Sequence, residues 1–399
     1  MTTVILPSDP ATPLEASTKT PADPTTAHEN IIRIATRKST LARCQTSLVA
    51  SMVTKAFPHL TPQVIALDTT ADLDKITPLH SFNAKALWTT ELEDLLERKE
   101  VDMIVHSLKD MPTQLPKGMV LGCVTSREDA RDAVCMHPRL EEQGIKSLGQ
   151  LPDGAVVGTS SLRRTAQLKR KYPGLVFKDA RGNLGTRLAK LDAEPREFDA
   201  LILAAAGLKR LGWNRRITSL LTWEEGGVMH AVGQGGLGVE IRGDDERMRE
   251  VCEAIGAEKD WRAALAERSL MRTLEGGCSV PIGVQTTWVK KTRALAASSG
   301  GVGVGAKPAE DYHKLSGVAK EGEDKEEDDR SDELIMQAVV ISLDGQQAVE
   351  TEMRRMIRSR EEADQFGWDI AQRLVEGGAA KILEEINLNR AIIEKQDGA

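Results

Sequence analysis

Arginine residues recur just after segments that look like β-strands, and their guanidinium groups indicate the chemistry of this sequence. A guanidinium matches the geometry of carboxylates and phosphates. Arg163 lies in the first turn of a predicted helix, where a cation is unfavourable unless an anion is bound beside it. One such arginine is most simply a charge on a helix surface, but several at one edge predict a cleft for a polyanionic ligand. The candidates are Arg37, Arg163, Arg164, Arg181, Arg187, Arg210 and Arg242.

A carboxylate follows the predicted strand in the segment VDMIVHSLKDMP. Lys109 and Asp110 come directly after this strand, and Pro112 ends the whole element two residues later. Taken alone, the two residues could form a solvated ion pair. An aspartate that faces an arginine-lined cleft could instead stabilise a developing cation. His106, in the strand itself, is interpreted as a structural histidine.

A cysteine in the segment TLEGGCSVPIG is the candidate for covalent chemistry. Gly276 and Gly277 allow the backbone to approach a ligand and place the Cys278 thiol on a loop. The alternative is a small buried side chain without a chemical role. Cys278 is therefore a candidate attachment point or nucleophile.

The elements that would position these side chains follow one pattern. Short runs rich in Val, Ile and Leu alternate with amphipathic segments over residues 31–211, for example IIRIAT followed by TLARCQTSLVASMVTKAF. This alternation indicates an α/β fold whose strands are buried on both faces. Ligands of such folds bind beyond the carboxyl ends of the strands, where helix N-termini point their N–H groups outward. The pattern therefore predicts that the arginines meet at one edge.

Two segments lack this alternation. Residues 1–28 are predicted to be a disordered leader. Residues 298–331 combine a Gly-rich tract with an acidic run and cannot bury enough apolar area, so they are predicted to be a disordered insertion. The flanking segments CSVPIGVQTTWV and ELIMQAVVISLDGQQ have the pattern of strands. The insertion is therefore expected to divide the sheet of a small C-terminal α+β unit.

The composition argues against several classes of protein. The chain has 399 residues, a mass of 43.5 kDa and 40% hydrophobic residues, enough for two or three domains. A net charge of −7 and only 3% aromatic residues argue against a nucleic-acid-binding surface. The five cysteines are odd in number and lack C-x-x-C spacing, so neither a disulfide framework nor a zinc site is predicted.

Neither a targeting signal nor a dinucleotide-binding motif is predicted from the sequence. The N-terminal residues lack the features of a secretory signal, and no apolar run is long enough to cross a membrane, so a cytoplasmic location is predicted. Gly233, Gly235 and Gly238 form a G-x-G-x-x-G match that runs into a strand rather than a helix. A dinucleotide site is therefore not predicted.

Seven segments of the sequence resemble the hydroxymethylbilane synthase family, whose members are also called porphobilinogen deaminases. They occur in the order found in that family and span residues 31–283. They are RIATRKSTLAR, HSLKDMP, GTSSLRRTAQL, ARGNLGTRLAKLD, LILAAAGLKRLG, AVGQGGLGVEIR and EGGCSVPIG. Each segment alone is weakly diagnostic, and seven in order make the resemblance very specific.

The resemblance implies an enzyme of haem biosynthesis. Such enzymes join four porphobilinogen molecules head to tail into the linear tetrapyrrole hydroxymethylbilane (preuroporphyrinogen) and release ammonia at each coupling. A dipyrromethane cofactor, bound through a thioether to Cys278, is also implied, and no metal ion is required. Loss of ammonia leaves a cationic azafulvene-like species, which Asp110 could stabilise.

Site residues follow from the same resemblance. Asp110 matches the essential aspartate of the family, and Lys109 stands beside it. The residues implied to bind carboxylates of the substrate and the cofactor are Arg37, Ser39, Lys85, Thr159, Ser160, Ser161, Arg163, Arg164, Arg181, Arg187, Arg210, Gln234 and Arg242. Each porphobilinogen brings an acetate and a propionate, so the growing chain is a polyanion that needs many guanidinium groups. The Lys85 segment departs from the family, because Ala84 and Ala86 flank the lysine in place of a Gly-rich stretch.

The implied architecture has three α/β domains. The first two resemble the two lobes of type II periplasmic binding proteins, and the third is a small α+β domain that carries Cys278. Domain 1 is predicted to comprise residues 29–128 and 234–256, domain 2 residues 129–233, and domain 3 residues 257–399. A monomer is expected.

Two other classes of protein fit the arginine pattern. One is a non-catalytic protein that captures a polycarboxylate between two lobes. The other is a nucleotide-phosphate transferase that uses helix N-termini to bind phosphate. The placement of Cys278 favours the synthase over the binding protein, and ammonia release from porphobilinogen separates it from the phosphate transferase.

Overall fold

The computed structural model describes residues 30–68, 89–274, 280–291 and 328–386, so the predicted leader lies outside the described residues. The strands are β1 Ile31–Arg37, β2 Thr61–Leu67, β3 Met103–Ser107, β4 Met119–Val124, β5 Asp132–Met136, β6 Val156–Gly158, β7 Val176–Lys178, β8 Ala200–Ala204, β9 Ser219–Leu221, β10 Leu237–Arg242, β11 Ile282–Lys290, β12 Arg330–Ile341 and β13 Ala348–Met356. The helices are α1 Thr40–Ala56, α2 Thr90–Glu97, α3 Pro138–Glu142, α4 Leu162–Lys171, α5 Leu184–Asp192, α6 Ala205–Arg210, α7 Trp223–Gly226, α8 Glu246–Ile255, α9 Glu258–Thr273 and α10 Arg360–Glu376. Residues 379–386 are also helical.

The first sheet has the strand order β2-β1-β3-β10-β4. β1 is parallel to β2 and β3, whereas β10 is antiparallel to β3 and β4. α8 contributes Met248, Val251, Cys252 and Ile255 to the core of this unit, and their i, i+3, i+4, i+7 spacing forms one buried face. Because β10 follows the second sheet in the chain, two separate stretches of sequence build the first unit.

The second sheet repeats this arrangement with the order β7-β6-β8-β5-β9. β6 is parallel to β7 and β8, and β5 is antiparallel to β8 and β9. Val157, Leu201 and Ile202 are completely buried, as expected for short apolar strands that are covered on both faces. The carboxyl ends of the parallel strands therefore lie at one edge of each sheet.

The third sheet is antiparallel, with the order β11-β12-β13, and shares its core with α9 and α10. Lys290 in β11 pairs with Arg330 in β12, so the described residues before and after positions 292–327 lie side by side. Residues 298–327 of the predicted insertion lie outside the described residues. Its predicted end at Ser331 is wrong, because β12 begins at Arg330, whose guanidinium is held by Asp260 and Asp328.

The predicted fold class is confirmed: two α/β units with mixed sheets of the same strand pattern are followed by a small α+β unit. The domain boundaries given above remain predictions. None of the described helices has the length and apolar character needed to span a membrane.

Two chain segments connect the first and second units, residues 125–131 and 231–236. They lie side by side, since the Glu128 N–H donates to the Gly235 carbonyl at 3.1 Å and Arg127 Nε donates to the Gln234 carbonyl at 2.8 Å. Gly235 has a φ of +91°, and a Cβ at this position would lie 2.2 Å from the Glu128 carbonyl oxygen. The close approach of the two segments therefore requires glycine.

We expect Gly235→Ala to lower the free energy of unfolding by about 3 kcal/mol, because the new Cβ meets a backbone carbonyl and the φ is positive. Gly118→Ala is the matched control, since Gly118 has a φ of +88° but nothing lies within 4 Å of an added Cβ. Its loss should be about 1 kcal/mol. Urea unfolding of both variants measures the difference. Equal losses would show that the connecting segments accommodate a side chain at residue 235.

Candidate active site

A cleft lies between the first and second units, at the carboxyl ends of β3 and β8. It contains a cavity of about 90 Å³. The lining residues come from both units and from the second connecting segment, and they are Leu41, Gln45, Ser107, Lys109, Arg164, Leu184, Arg187, Leu203, Ala204, Ala206, Gly207, Arg210, Gln234, Gly235 and Gly236. The structure therefore brings four of the predicted cationic side chains to one cavity.

Asp110 lies on the edge of this cleft, at the end of a 3₁₀ turn that spans Leu108–Asp110 directly after β3. The Leu108 N–H donates to the Gly236 carbonyl at 3.0 Å, and the Met111 N–H donates back to the Leu108 carbonyl at 3.2 Å. Backbone hydrogen bonds thus determine the position of the turn, while the Asp110 side chain remains exposed. The carboxylate is free of the core and available to a ligand.

Lys109 points its ammonium toward the connecting segment. Its Nζ donates to Gln234 Oε1 at 3.4 Å. Burial of the ammonium lowers the pKa of Lys109, and the charge of Asp110 opposes that effect. The Lys109 side chain is therefore a desolvated donor beside the exposed carboxylate of Asp110.

Arg163 and Arg164 are buried at the start of α4 and share one carboxylate, that of Asp132. Arg164 donates to Asp132 Oδ1 from Nε at 3.0 Å and from Nη2 at 2.6 Å, and Arg163 Nη2 lies 2.8 Å from Asp132 Oδ2. Gln234 Nε2 donates to the same Oδ1 at 2.9 Å. The anion expected at this helix N-terminus is thus supplied by the chain itself.

The electrostatics of this cluster leave an excess of positive charge. Burial alone would raise the pKa of Asp132, but the adjacent guanidinium groups of Arg163 and Arg164 outweigh it and hold the pKa well below the usual range of an aspartate. One ionised carboxylate cannot neutralise two guanidinium groups, and the Lys109 ammonium adds a further cation. The interior of the cleft is therefore suited to an anionic ligand.

The predicted hydroxyl residues form the loop before α4. Ser161 is the N-cap, and its side chain accepts a hydrogen bond from the Arg164 N–H. Thr159 Oγ1 accepts from the Ser161 N–H at 3.2 Å, and Ser160 Oγ donates to the Ala180 carbonyl at 2.8 Å. These contacts hold the loop in shape and thereby position the two arginines that follow it.

Two further arginines line the cavity. Arg187 Nε donates to the Gly182 carbonyl at 2.7 Å, and Arg210 Nη2 donates to the Gly235 carbonyl at 2.6 Å. Burial lowers the pKa of both side chains, and the charges of Arg164 and Asp110 also act on Arg187. Both arginines line the same cavity as Lys109 of the first unit, so the two units present cations to one space.

Three further predicted residues, Arg37, Ser39 and Arg181, lie at the edge of the cleft. Arg37 ends β1, and Ser39 is the N-cap of α1 and accepts from the Ala42 N–H at 3.3 Å. Arg181 follows β7, with its Nε 3.5 Å from Asp179 Oδ2. Because β1 is parallel to β3 and β7 is parallel to β6, these residues come from carboxyl ends at the cleft edge of their sheets.

Arg242 does not belong to this group, which corrects the prediction from the strand pattern. β10 runs antiparallel to β3, so Leu237 is at the Ser107 end and Arg242 is at the far end of the sheet. There its guanidinium donates to the carbonyls of Leu96 and Val101 at 3.0 and 2.7 Å and pairs with Asp245. The prediction assumed that every strand runs in the same direction.

Sequence reasoning did not identify the buried carboxylates that organise the site. Asp132 opens the apolar strand β5, and a charge at the start of a buried strand was the available signal, since it requires a partner. Glu267 in α9 accepts from Arg127 Nη1 at 2.7 Å and Nη2 at 3.0 Å, and from the Gly233 N–H at 2.8 Å. Burial would raise the pKa of Glu267, but Arg127 outweighs it and lowers the pKa to about 2. This ion pair joins both connecting segments to the third unit.

His106 is structural, as predicted, because it lies within the first unit, with its Nε2 2.9 Å from Glu240 Oε2.

The predicted residues Lys85 and Cys278 lie outside the described residues. In the described part of the chain, no group of three or more His, Cys, Asp and Glu residues could hold a metal ion.

The fold and the site together define a two-lobed α/β protein with a cationic cleft between its lobes. Residues 32–250 match the family model described as "Porphobilinogen deaminase, dipyromethane cofactor binding domain". Residues 261–297 match the model described as "Porphobilinogen deaminase, C-terminal domain". The chain belongs to the porphobilinogen deaminase family, which confirms the resemblance found in the sequence.

Similar proteins cover almost the whole chain. The porphobilinogen deaminase of Neurospora crassa is 46% identical over 363 residues, which are 90% of this chain and 95% of that protein. The porphobilinogen deaminase of Saccharomyces cerevisiae is 41% identical over 364 residues, 90% of this chain and 98% of that protein. Among solved structures, an ancestral cationic amino acid solute binding protein is 14% identical, with a TM-score of 0.34 over 58% of this chain and 90% of its own.

Proposed function

We propose that this protein is a hydroxymethylbilane synthase, a transferase that condenses four porphobilinogen molecules head to tail and releases one ammonia at each coupling. The observation that carries the proposal is the exposed Asp110 carboxylate at the edge of a cleft whose buried cations outnumber their internal counter-ion. The porphobilinogen deaminase names of its relatives support the same reaction.

The cations of the cleft bind the carboxylates of the substrate and of the growing chain. Arg187 and Arg210 line the cavity and make hydrogen bonds to backbone carbonyls, so their guanidinium groups keep donors for a ligand. Arg163 and Arg164 are held rigidly by Asp132 and supply a fixed positive field. Preorganised cations of this kind do not need to reorganise as negative charge accumulates.

Asp110 acts on the positive charge that appears in the reaction. When ammonia leaves porphobilinogen, the remaining pyrrole is a cation, and a nearby carboxylate stabilises it. The same carboxylate accepts hydrogen bonds from pyrrole N–H groups and can accept the proton that is lost when the new bond forms. Lys109 within the turn and its hydrogen-bond partner Gln234 orient the acidic side chains of the substrate.

The residues of the cleft also fit the dipyrromethane cofactor named in the family description. Its acidic side chains require cationic partners, which Lys109, Arg163 and Arg164 provide; the neutral amide of Gln234 lies among them. The group supplies the primer to which the pyrrole units are added. We propose Cys278 as the thioether attachment point, because the segment EGGCSVPIG resembles the cofactor-attachment segment of the family; in the chain it lies between α9 and β11 of the third unit.

The test combines intact mass with product formation. Purified wild-type protein is expected to carry an adduct with the mass of two porphobilinogen molecules less two ammonia molecules and to release ammonia from porphobilinogen. An unmodified chain in an active preparation would refute the cofactor assignment. A chain that binds porphobilinogen without releasing ammonia would instead be the polycarboxylate-binding protein considered as the alternative.

We expect Cys278→Ser to abolish the thioether adduct and with it most of the ammonia release, because a serine hydroxyl cannot form the carbon–sulfur bond. Cys44→Ser is the control. The Cys44 thiol is half-buried and donates to the Arg210 carbonyl at 3.2 Å, a bond that a hydroxyl retains. Intact-mass spectrometry should find the adduct in Cys44→Ser and not in Cys278→Ser. An unchanged thioether content in Cys278→Ser would place the attachment at another residue.

We also propose that the protein is a cytoplasmic monomer. Cys44, Cys123, Cys135 and Cys252 form no disulfide, which is compatible with a reducing compartment. Cell fractionation tests the location. Size-exclusion chromatography with light scattering tests the oligomeric state, and the expected mass is that of one 43.5 kDa chain.

A further inference from the structure

Arg268 is a buried arginine outside the cleft that contacts the segment carrying Asp110. It lies in α9 and is 5% exposed. Its Nη1 donates to the Met111 carbonyl at 3.2 Å, and its Nη2 donates to the Pro112 carbonyl at 2.6 Å. These are the two residues that directly follow Asp110. One guanidinium of the third unit therefore holds the backbone next to the proposed catalytic carboxylate.

The partners of Arg268 differ from those of three other arginines near the connecting segments and the cleft. Arg127, Arg163 and Arg164 each meet a carboxylate, whereas no carboxylate of the described residues lies within ion-pairing distance of Arg268. Burial, together with the charge of Arg272, lowers the pKa of Arg268 to about 10, although the charge of Glu240 opposes this shift. A packed hydrophobic side chain would avoid the cost of burying this charge. The carbonyls of Met111 and Pro112 are thus the hydrogen-bond partners of this buried charge.

The turn that bears Asp110 is held at both ends. On the side before Asp110, the Leu108 N–H is bound to the Gly236 carbonyl of the second connecting segment. On the other side, the Met111 side chain is buried in the core of the first unit, and Arg268 holds the carbonyl groups of Met111 and Pro112. The exposed Asp110 side chain projects from a backbone that cannot shift without breaking these hydrogen bonds.

We propose that Arg268 is a positioning residue that keeps the Asp110 carboxylate in place for the coupling reaction, an inference that rests on the function proposed above. The third unit thereby determines the geometry of a carboxylate that belongs to the first unit. Loss of the guanidinium lets the Met111–Pro112 backbone move. The carboxylate then no longer meets the positive charge that develops on the substrate, although substrate binding through the arginines of the cleft continues.

The experiment compares Arg268→Met with Arg272→Met in the full-length, cofactor-loaded protein. Methionine keeps the unbranched apolar part of the side chain but removes both hydrogen bonds to the carbonyls. We expect Arg268→Met to lower kcat by about 10- to 100-fold and to leave KM within about threefold of wild type, since a small misplacement of a catalytic group affects the transition state more than binding. Arg272 lies one turn further along α9 and pairs with Asp364 inside the third unit, so its variant should retain wild-type kcat.

A double-mutant cycle separates positioning from general destabilisation. In the Asp110→Asn background there is no carboxylate to position, so Arg268→Met should not slow single-turnover ammonia release further. An equal loss in both backgrounds would overturn the proposal. A wild-type kcat in folded Arg268→Met would also overturn it. Failure of the proposed function is seen separately, as a wild-type protein that releases no ammonia.

Arg268→Lys covers the case in which Arg268→Met does not fold. The ammonium keeps the charge but is a single point donor that cannot match the fork that reaches both carbonyls. Its kcat should lie between those of wild type and Arg268→Met, and amide hydrogen exchange over residues 108–115 should accelerate while exchange in α4 stays unchanged. A wild-type kcat together with unchanged exchange would contradict the proposed role.

Discussion

Asp110→Asn is expected to lower kcat for ammonia release from porphobilinogen by about 10²- to 10³-fold and to change KM by no more than about threefold. Asparagine has the shape of aspartate but carries no negative charge. It still accepts hydrogen bonds from pyrrole N–H groups, but it neither stabilises the cation left by ammonia nor accepts a proton. The substitution therefore removes an interaction that is strongest in the transition state.

The measurement is the initial rate of ammonia release over a range of porphobilinogen concentrations. Intact mass is determined first, so that only protein carrying the adduct is compared with loaded wild type. Asp244→Asn is the control, because Asp244 is an exposed aspartate that follows β10 at the far end of the first sheet. A turnover near that of wild type in loaded Asp110→Asn would show that this carboxylate has no part in the chemistry.

Asp132→Asn is expected to lower the free energy of unfolding by about 3 kcal/mol, because it leaves the guanidinium groups of Arg163 and Arg164 buried without a counter-ion. The amide keeps one acceptor oxygen but replaces the other with a donor that faces a guanidinium. The shift in the urea midpoint measures the loss. Activity should fall as well, since the positions of both arginines depend on this carboxylate.

The effect of Asp132→Asn should depend on pH with a definite sign. The pKa of Asp132 is lowered in the folded protein, so its contribution to stability is present above the unfolded pKa of about 4 and is lost as the pH falls below that value. The difference between wild type and variant is thus largest near neutral pH and shrinks in acid.

Asp192→Asn is the matched control for this substitution. Asp192 also accepts two hydrogen bonds from one arginine, Arg216, at 2.6 and 2.7 Å, but that ion pair is partly exposed to water. Its loss should be about 1 kcal/mol or less. If Asp132→Asn were no more destabilising than Asp192→Asn, the buried carboxylate would not be the organising group of the cleft.

The sequence by itself determined the family, the fold class and the positions of the reactive groups along the chain. Segments such as HSLKDMP and EGGCSVPIG consist of residues that are contiguous in the chain. They can therefore identify the family without knowledge of the tertiary structure. Hydrophobic periodicity likewise predicted the strands on either side of the insertion, and these strands pair as β11 and β12. The predicted end of the insertion was wrong. In the sequence, Arg330 and its acidic neighbours resemble a solvent-exposed charged segment, and only the fold brings Asp260 into an ion pair with Arg330.

Only the tertiary structure decided which charges meet. Arg242 is carried away from the cleft by the antiparallel direction of β10, a property of strand pairing that local sequence does not express. Asp132 becomes the partner of two arginines because β5 joins the second sheet next to β8. Arg268 reaches the Met111 carbonyl across 157 positions of sequence. Burial makes each of these long-range contacts necessary, since a charge removed from water must find a partner wherever the chain path brings one.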